Sequence, residues 1–275
     1  MAATQPFVRL NNGIDIPQIV LGCGDIWGDE ARRTVETALQ TGYRLLDTAA
    51  MYRNEAEVGA ALKTAGLPRD EVFVVTIVHN TDQGYESTLR AYAESCRRLQ
   101  LDYVDLYLVH WPIPGRRRDT WRALEKLYTD GAVRAIGVCN YLPPFLQELD
   151  TYANITPALN QCELSPYLLQ RDLIDACRTR GIQLQAWAPL VRGKRFSDPR
   201  LQALANKYGK TPAQLLLRWA VDRGFSAIPK SASAERLREN FDLFDFALPP
   251  ADLAAMDGFD EHFRSSGEDP MQFWR

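Results

Sequence analysis

Histidine is scarce in this chain of 275 residues, so any imidazole chemistry must come from His79, His110 or His262. Cysteine is odd in number and scattered, at Cys23, Cys96, Cys139, Cys162 and Cys177. That excludes a disulfide framework and any CxxC metal pattern, and no metal site is expected. No stretch approaches the ~18 consecutive apolar residues of a membrane span. The opening MAATQPFVRLNNG lacks the apolar stretch of a secretory signal, so a cytoplasmic location is expected. Basic residues number 32 against 35 acidic ones, a net charge of −3. A general nucleic-acid binder would show a basic excess or stripe, so small molecules are the expected partners. No GxGxxG follows the first apolar run, which disfavours an open dinucleotide-binding sheet, the second-ranked architecture.

What is present is a repeated alternation of short apolar runs with longer amphipathic ones. The strand candidates are Ile19–Cys23, Arg44–Thr48, Val72–Val78, Val104–His110, Ala135–Asn140, Ala158–Glu163, Ile182–Ala188 and Ala227–Lys230. Most are Val-, Ile- and Leu-rich, as strands covered on both faces are. Helical patterns fall between them, at Asp29–Gln40, Tyr85–Leu99, Thr120–Asp130, Arg171–Arg180 and Thr211–Arg223. Thr211-Pro212 supplies a cap followed by proline in the first turn. Eight such units predict a closed (β/α)8 TIM barrel, an α/β fold forming a single domain over residues 1–275. Phe7–Leu10 and Ile14–Ile16 flank Asn11-Asn12-Gly13, which predicts an N-terminal β-hairpin plugging the barrel's bottom. Pro249-Pro250 starts a further helix, and the polar C-terminal tail Ser265–Arg275 is expected to cross the surface.

Chemistry in a parallel barrel sits at the C-terminal ends of its strands. The polar residues there are Cys23, Asp25, Asp47, His79, His110, Asn140, Gln161, Glu163 and Lys230, with Tyr52 just beyond Asp47.

Six strings carry a specific resemblance: LLDTAAMYRNEAEVG (45–59), NTDQGYEST (80–88), VDLYLVHWP (104–112), GVCNY (137–141), LNQCELSPY (159–167) and IPKSASAERLRENF (228–241). In this order and spacing the chain resembles an aldo-keto reductase from end to end, and within that family the bacterial 2,5-diketogluconate reductases. The resemblance implies a barrel, usually monomeric, that reduces carbonyls with NADPH through an Asp, Tyr, Lys and His set. Asp47, Tyr52 and His110 match; Tyr52 would protonate the developing alkoxide and His110 would hydrogen-bond the same oxygen. The lysine is absent. Where relatives read TKLWN or TKVWN, this chain reads Thr76-Ile77-Val78-His79-Asn80. Ile77 offers no charge, and Asp47 without its cation disfavours the tyrosinate.

The first strand departs as well: against GLGTW or GYGVF it reads Gly22-Cys23-Gly24-Asp25-Ile26, with Ile26 in the place of the pocket's aromatic. Strand alternation would put Cys23 with Asp25, and Ile77 with His79 pointing inward at the rim. A thiol and an imidazole together are the minimum for acyl transfer. The expectation is an engineered hydrolase on this scaffold, a cysteine esterase with Cys23 as nucleophile, His79 as base and Asp25 orienting His79. Tyr52 or His110 would donate to the oxyanion. Asp25 with His79 as a proton-abstracting base is a further option. The alternatives are an NADPH-dependent carbonyl reductase with an incomplete catalytic set and a non-catalytic NADPH-binding barrel. The cofactor half matches the family throughout. Lys230, Ser231, Arg236 and Asn240 correspond to its adenosine-phosphate site, Asn140 and Gln161 to the nicotinamide carboxamide contacts, and Trp187 to the stacking platform. Cys139 stands where a serine is more usual.

Overall fold

A computed structural model describes residues 5–273. The tail's final Trp274 and Arg275 lie outside the described residues. Runs too apolar to face water become strands covered on both sides. β4 (Leu45–Asp47), β5 (Phe73–Val78) and β6 (Val104–Val109) are buried at every residue. They join β3 (Leu21–Gly22), β7 (Val133–Cys139), β8 (Leu159–Glu163), β9 (Gln183–Trp187) and β10 (Ser226–Ile228) in one parallel sheet of eight strands, in sequence order. The sheet closes beside β3. Ala227 N donates to Gln18 O at 2.7 Å, Val20 N to Ala227 O at 3.0 Å and Gly22 N to Pro229 O at 3.1 Å. This is the expected (β/α)8 barrel.

Strand alternation divides the apolar residues into two layers. Leu45, Val75, Ile77, Leu106, Leu108 and Leu159 fill the barrel's interior. Leu46, Val74, Val78, Tyr107 and Val109 face outward. Helices cover that outer face. α1 (Gly28–Thr41) contributes Val35 and Leu39, α2 (Glu55–Ala65) Val58, and α4 (Arg117–Thr129) Trp121 and Leu124. α8 (Pro212–Asp222, in numbering that counts α3 as Tyr85–Leu99, α5 as Pro143–Asp150, α6 as Arg171–Arg180 and α7 as Pro199–Tyr208) begins with a full capping box. Thr211 Oγ1 accepts from Gln214 N at 3.2 Å while Gln214 Oε1 accepts from Thr211 N at 3.0 Å. Such a box is worth about 1 kcal/mol.

The hairpin forms from β1 (Phe7–Arg9) and β2 (Asp15–Pro17). Leu10 and Ile16 enter the interior layer, and the turn is tied to the barrel floor by Asn11 Nδ2 to Pro157 O at 2.9 Å and Asn12 Nδ2 to Arg134 O at 3.0 Å. α9 (Ala234–Phe241) and α10 (Pro250–Asp257) complete the helices. The tail runs at the surface as expected, with Gly267, Glu268, Met271 and Gln272 exposed, but its start is tied down. Ser265 is fully buried, because Glu163 at the end of β8 gathers its backbone N and Oγ at 2.6 and 2.7 Å. Glu163 also accepts from Ser266 N at 3.1 Å and Ser266 Oγ at 2.6 Å. A carboxylate taken out of water requires such donors, so the tail folds back over the barrel mouth. There Phe273 stacks on Trp111 with ring centroids 4.0 Å apart.

Candidate active site

The C-terminal ends of the strands surround a cavity of about 500 Å3 lined by Asp47, Tyr52, His110, Asn140, Gln161 and Trp187, among others. Tyr52 ends a short 3-10 turn, Ala50–Tyr52, directly after β4. Its ring meets that of His110 edge-on, with centroids 6.3 Å apart at 85°. Asn140 Nδ2 donates to the backbone His110 O at 3.1 Å, and Asn140 Oδ1 accepts from Trp187 Nε1 at 3.0 Å, so one amide ties the His110 backbone to the Trp187 ring, while His110 Nδ1 is buried with no hydrogen-bond partner among the described residues. Burial, reinforced by nearby His79, lowers the His110 pKa to about 4. His110 is therefore neutral at ordinary pH, a hydrogen-bond donor rather than a cation. Tyr52 is pushed well above the usual phenol range by burial, then by the charge of Asp47. It holds its proton.

Asp47 is only 2% exposed, and Gln161 Nε2 donates to its Oδ2 at 2.7 Å. Ile77, where a lysine would neutralise it, is fully buried in the interior layer. Burial raises the Asp47 pKa from 3.8 to about 7, with the Gln161 hydrogen bond opposing the rise. A folded-state pKa above the unfolded one means the fold loses stability as pH climbs from 3.8 through about 7. A shift of that size corresponds to roughly 4 kcal/mol. Asp47→Asn keeps an acceptor for Gln161 and removes the buried charge. Thermal melts are expected to show it more stable than the parent at pH 8, an advantage that shrinks toward pH 4. An equal advantage at both pH values would show that Asp47 is not the titrating group.

Sites for a nucleotide lie alongside. Lys230 and Arg192 line the cavity, and their side chains have no hydrogen-bond or ion-pair partner among the described residues. Ser231 Oγ accepts from Ser233 N at 3.1 Å, and Ser233 Oγ caps α9 by accepting from Arg236 N at 3.4 Å. Arg236 is exposed on the first turn of α9, and Asn240 is buried on its inner face. Helix starts of this kind suit phosphate.

Comparison with known proteins decides the family. The Aldo/keto reductase family model matches residues 19–261. The chain belongs to the aldo/keto reductase family. Among this aldo-keto reductase's relatives, it is 46% identical to a glyoxal reductase of Bacillus subtilis, covering 94% of each chain. It is 42% identical to a morphine 6-dehydrogenase of Pseudomonas putida, covering 98% of this chain and 96% of that one. Among solved structures, an aldo-keto reductase of Bombyx mori in complex with NADP superposes with a TM-score of 0.90. It is 37% identical, over 96% of this chain and 95% of that one.

The expected hydrolase is thereby overturned: these relatives are named for oxidoreductase activities, and nothing supports an engineered site. The geometry agrees. Cys23 is fully buried in the layer between barrel and helices, alongside Leu21 and Ile26, and it does not line the cavity. Burial, with Asp47 adding to it, pushes its thiol pKa up, so the nucleophilic thiolate is disfavoured. His79 also stands outside the cavity lining. Its Nδ1 lies 2.7 Å from Thr81 Oγ1 and accepts from Thr81 N at 3.2 Å, capping the next turn. Asp25 does line the cavity, but it makes no hydrogen bond to His79. The alternation expected for Cys23 and Asp25 fails because β3 stops at Gly22 and Asp25 takes a left-handed φ of 53°.

The cavity also holds residues that motif reading passed over. Gly24 lines it, whereas Ile26, expected at the pocket wall, is 1% exposed and points into the core. Asn54 is fully buried and braces the first loop: its Nδ2 donates to Cys23 O at 2.6 Å and Ile26 O at 2.9 Å, and its Oδ1 accepts from Thr48 Oγ1 at 2.7 Å. Met51, Trp111, Arg192, Ser266 and Glu268 also line the cavity. A polar residue directly after the Tyr52 turn was the one available signal for Asn54. For Ser266 and Glu268 there was none, because the tail's docking partner is Glu163, more than a hundred residues earlier.

Proposed function

We propose that this chain is an NADPH-dependent carbonyl reductase working without the family's lysine. One observation carries the reading: Tyr52 and a neutral His110 meet edge-on in a cavity whose floor is the buried carboxyl of Asp47. Bound NADPH supplies a hydride to the carbonyl carbon. Tyr52 gives its phenolic proton to the carbonyl oxygen, and His110 donates a hydrogen bond that lowers the cost of negative charge there. Asn140 ties the His110 backbone to the Trp187 ring, which joins the strand end that carries the polarising group to the platform.

The residues present suit this cofactor. Trp187 offers a ring fixed through its Nε1, Gln161 lines the same cavity, and Lys230 and Arg192 offer positive charge that is unpaired among the described residues. Ser231, Arg236 and Asn240 at the start of α9 form the adenosine-phosphate end, with Arg236 selecting the 2′-phosphate of NADPH. The Bombyx mori relative, solved with NADP, supports the choice. The proposed state is a single domain and a monomer, the default for the family it belongs to, and the chain's own tail supplies Ser266 and Glu268 to the cavity wall. Its partners are small carbonyl compounds, not nucleic acid, given the acidic balance of 32 basic to 35 acidic residues. Among the described residues no helix is long and apolar enough to cross a membrane, and the proposed compartment is the cytoplasm.

The relative named for glyoxal makes small dicarbonyls the first substrates to try. NADPH oxidation in the presence of methylglyoxal is expected, with Cys23→Ala turning over at the parent rate. Nucleotide fluorescence that shifts on binding, with no oxidation across a panel of aldehydes and ketones, would leave only the non-catalytic barrel.

A further inference from the structure

A row of buried polar side chains crosses the barrel interior, from Asp47 at the cavity to the backbone that follows β2. Gln161 in β8 stands opposite Gln185 in β9, and Gln185 stands opposite Ser226 in β10. Their strand neighbours Leu184, Ala186 and Ala227 face outward, so the row points inward. Gln185 and Ser226 are fully buried, and Gln161 is 4% exposed. Hydrogen bonds join the row end to end. Ser226 Oγ donates to Gln18 O at 3.2 Å, and Gln185 Nε2 donates to Ser226 Oγ at 3.1 Å. Gln161 Nε2 donates to Gln185 Oε1 at 3.0 Å and to Asp47 Oδ2 at 2.7 Å.

The direction of each bond follows from the Gln18 end. A backbone carbonyl only accepts, so the one hydroxyl proton of Ser226 goes there, with Pro17 O a second acceptor at 3.4 Å. Ser226 Oγ must then accept from Gln185, which turns the Gln185 nitrogen to Ser226 and its oxygen to Gln161. Gln161 meets that oxygen with its nitrogen, whose two protons go to Gln185 and Asp47. Its own Oε1 is left over, on a residue that lines the cavity, with no partner among the described residues. An ionised Asp47 requires the same turn of the amide, but a neutral carboxyl can give a proton as well as take one.

We propose that Gln185, held by Ser226, is a positioning residue that fixes the turn of the Gln161 amide, so that Asp47 always meets an N–H and the cofactor's carboxamide meets an acceptor oxygen. This rests on the proposed NADPH site. In a chain without the lysine, it secures a donor for Asp47 in either charge state.

The test reads binding rather than turnover. NADPH is compared with its reduced 3-acetylpyridine analogue, whose methyl ketone has no N–H to give, by quenching of tryptophan fluorescence at pH 6. Asp47, with its pKa of about 7, is mostly neutral there. Tyr52, Cys23 and Cys139, which feel its charge, are pushed up by burial and keep their protons, and His110 stays neutral. Asp25 and Lys230 on the cavity wall are the same in every variant.

The parent is expected to bind NADPH about fivefold more tightly than the analogue, the worth of one hydrogen bond. Gln185→Met, close in volume, should bind the two about equally at pH 6, with Ser226→Ala in between. At pH 8 the ionised Asp47 turns the amide unaided, so Gln185→Met should regain most of the preference. No preference in the parent would overturn the assignment of the Gln161 oxygen. A full preference in Gln185→Met at pH 6, or equal weakening toward both nucleotides at both pH values, would reduce Gln185 to packing. If Gln185→Met does not fold, an unchanged preference in Ser226→Ala has the same force. Millimolar binding of both nucleotides by the parent would sink the cofactor site and this inference together. Tight, selective binding without NADPH oxidation by any carbonyl would sink the reductase reading alone.

Discussion

Replacing Tyr52 with phenylalanine is expected to lower kcat for carbonyl reduction about a thousandfold, with NADPH affinity unchanged within about twofold. The variant keeps the ring that meets His110 edge-on, so the cavity wall persists and only the acidic hydroxyl is lost. Without that proton the alkoxide must form unassisted in a buried site, where charge is costly. His110 cannot take over. Its pKa of about 4 leaves it neutral, able to donate a hydrogen bond but not to deliver a proton readily at pH 7. Initial rates with methylglyoxal and fluorescence titration of NADPH separate the two effects. A loss of less than about tenfold would show that another group protonates the substrate.

Ile77→Lys is expected to act in the opposite direction, raising kcat at pH 8 by at least about tenfold. Asp47 pairs with Val75 across β4 and β5, so Ile77 stands two residues farther along the neighbouring strand, on the same inward face. An ammonium there can reach the Asp47 carboxyl, which has Gln161 as its donor and no cation among the described residues. Two consequences follow. The pair holds Asp47 ionised at lower pH, and the added positive charge makes Tyr52 a stronger acid. In the parent, Asp47 ionises as pH rises through about 7, and its new charge makes the Tyr52 proton harder to release. The parent's reductive rate should therefore decline through that range, and the decline should vanish in Ile77→Lys. A folded variant with the parent's rate and the parent's pH profile would show that this site donates its proton without needing the lysine. The variant inserts a charge at a fully buried position, so a melt must accompany the kinetics.

The candidate catalytic positions could be located in the sequence because their motif residues lie close to strand ends whose apolar runs are unambiguous. Asp47 closes β4 and Tyr52 lies five residues on, while His110 directly follows β6. The pairing of Cys23 with His79 was misread for a local reason. Gly22 and Gly24 have no side chains to show which face is apolar, so the sequence pattern could not phase that strand. In space, Leu21 and Cys23 turn outward and the two glycines turn in. His79, for its part, caps a turn through Thr81, a role that no strand periodicity reveals. The anchoring of the tail was not legible because its polarity resembles a solvated surface. Its serines are instead consumed by Glu163 at the end of β8.

By itself the sequence determined the barrel, the hairpin beneath it and the family, since buried runs, turn residues and motif spacing are local properties written along the chain. It also determined that the lysine is missing. The tertiary structure alone decided what that absence leaves behind: a buried Asp47 that accepts from the Gln161 amide, and a Tyr52 that holds its proton tightly. It likewise decided that Cys23 is core and Gly24 is cavity. Which face a residue shows, and which distant group satisfies it, depends on closing the sheet and docking the tail.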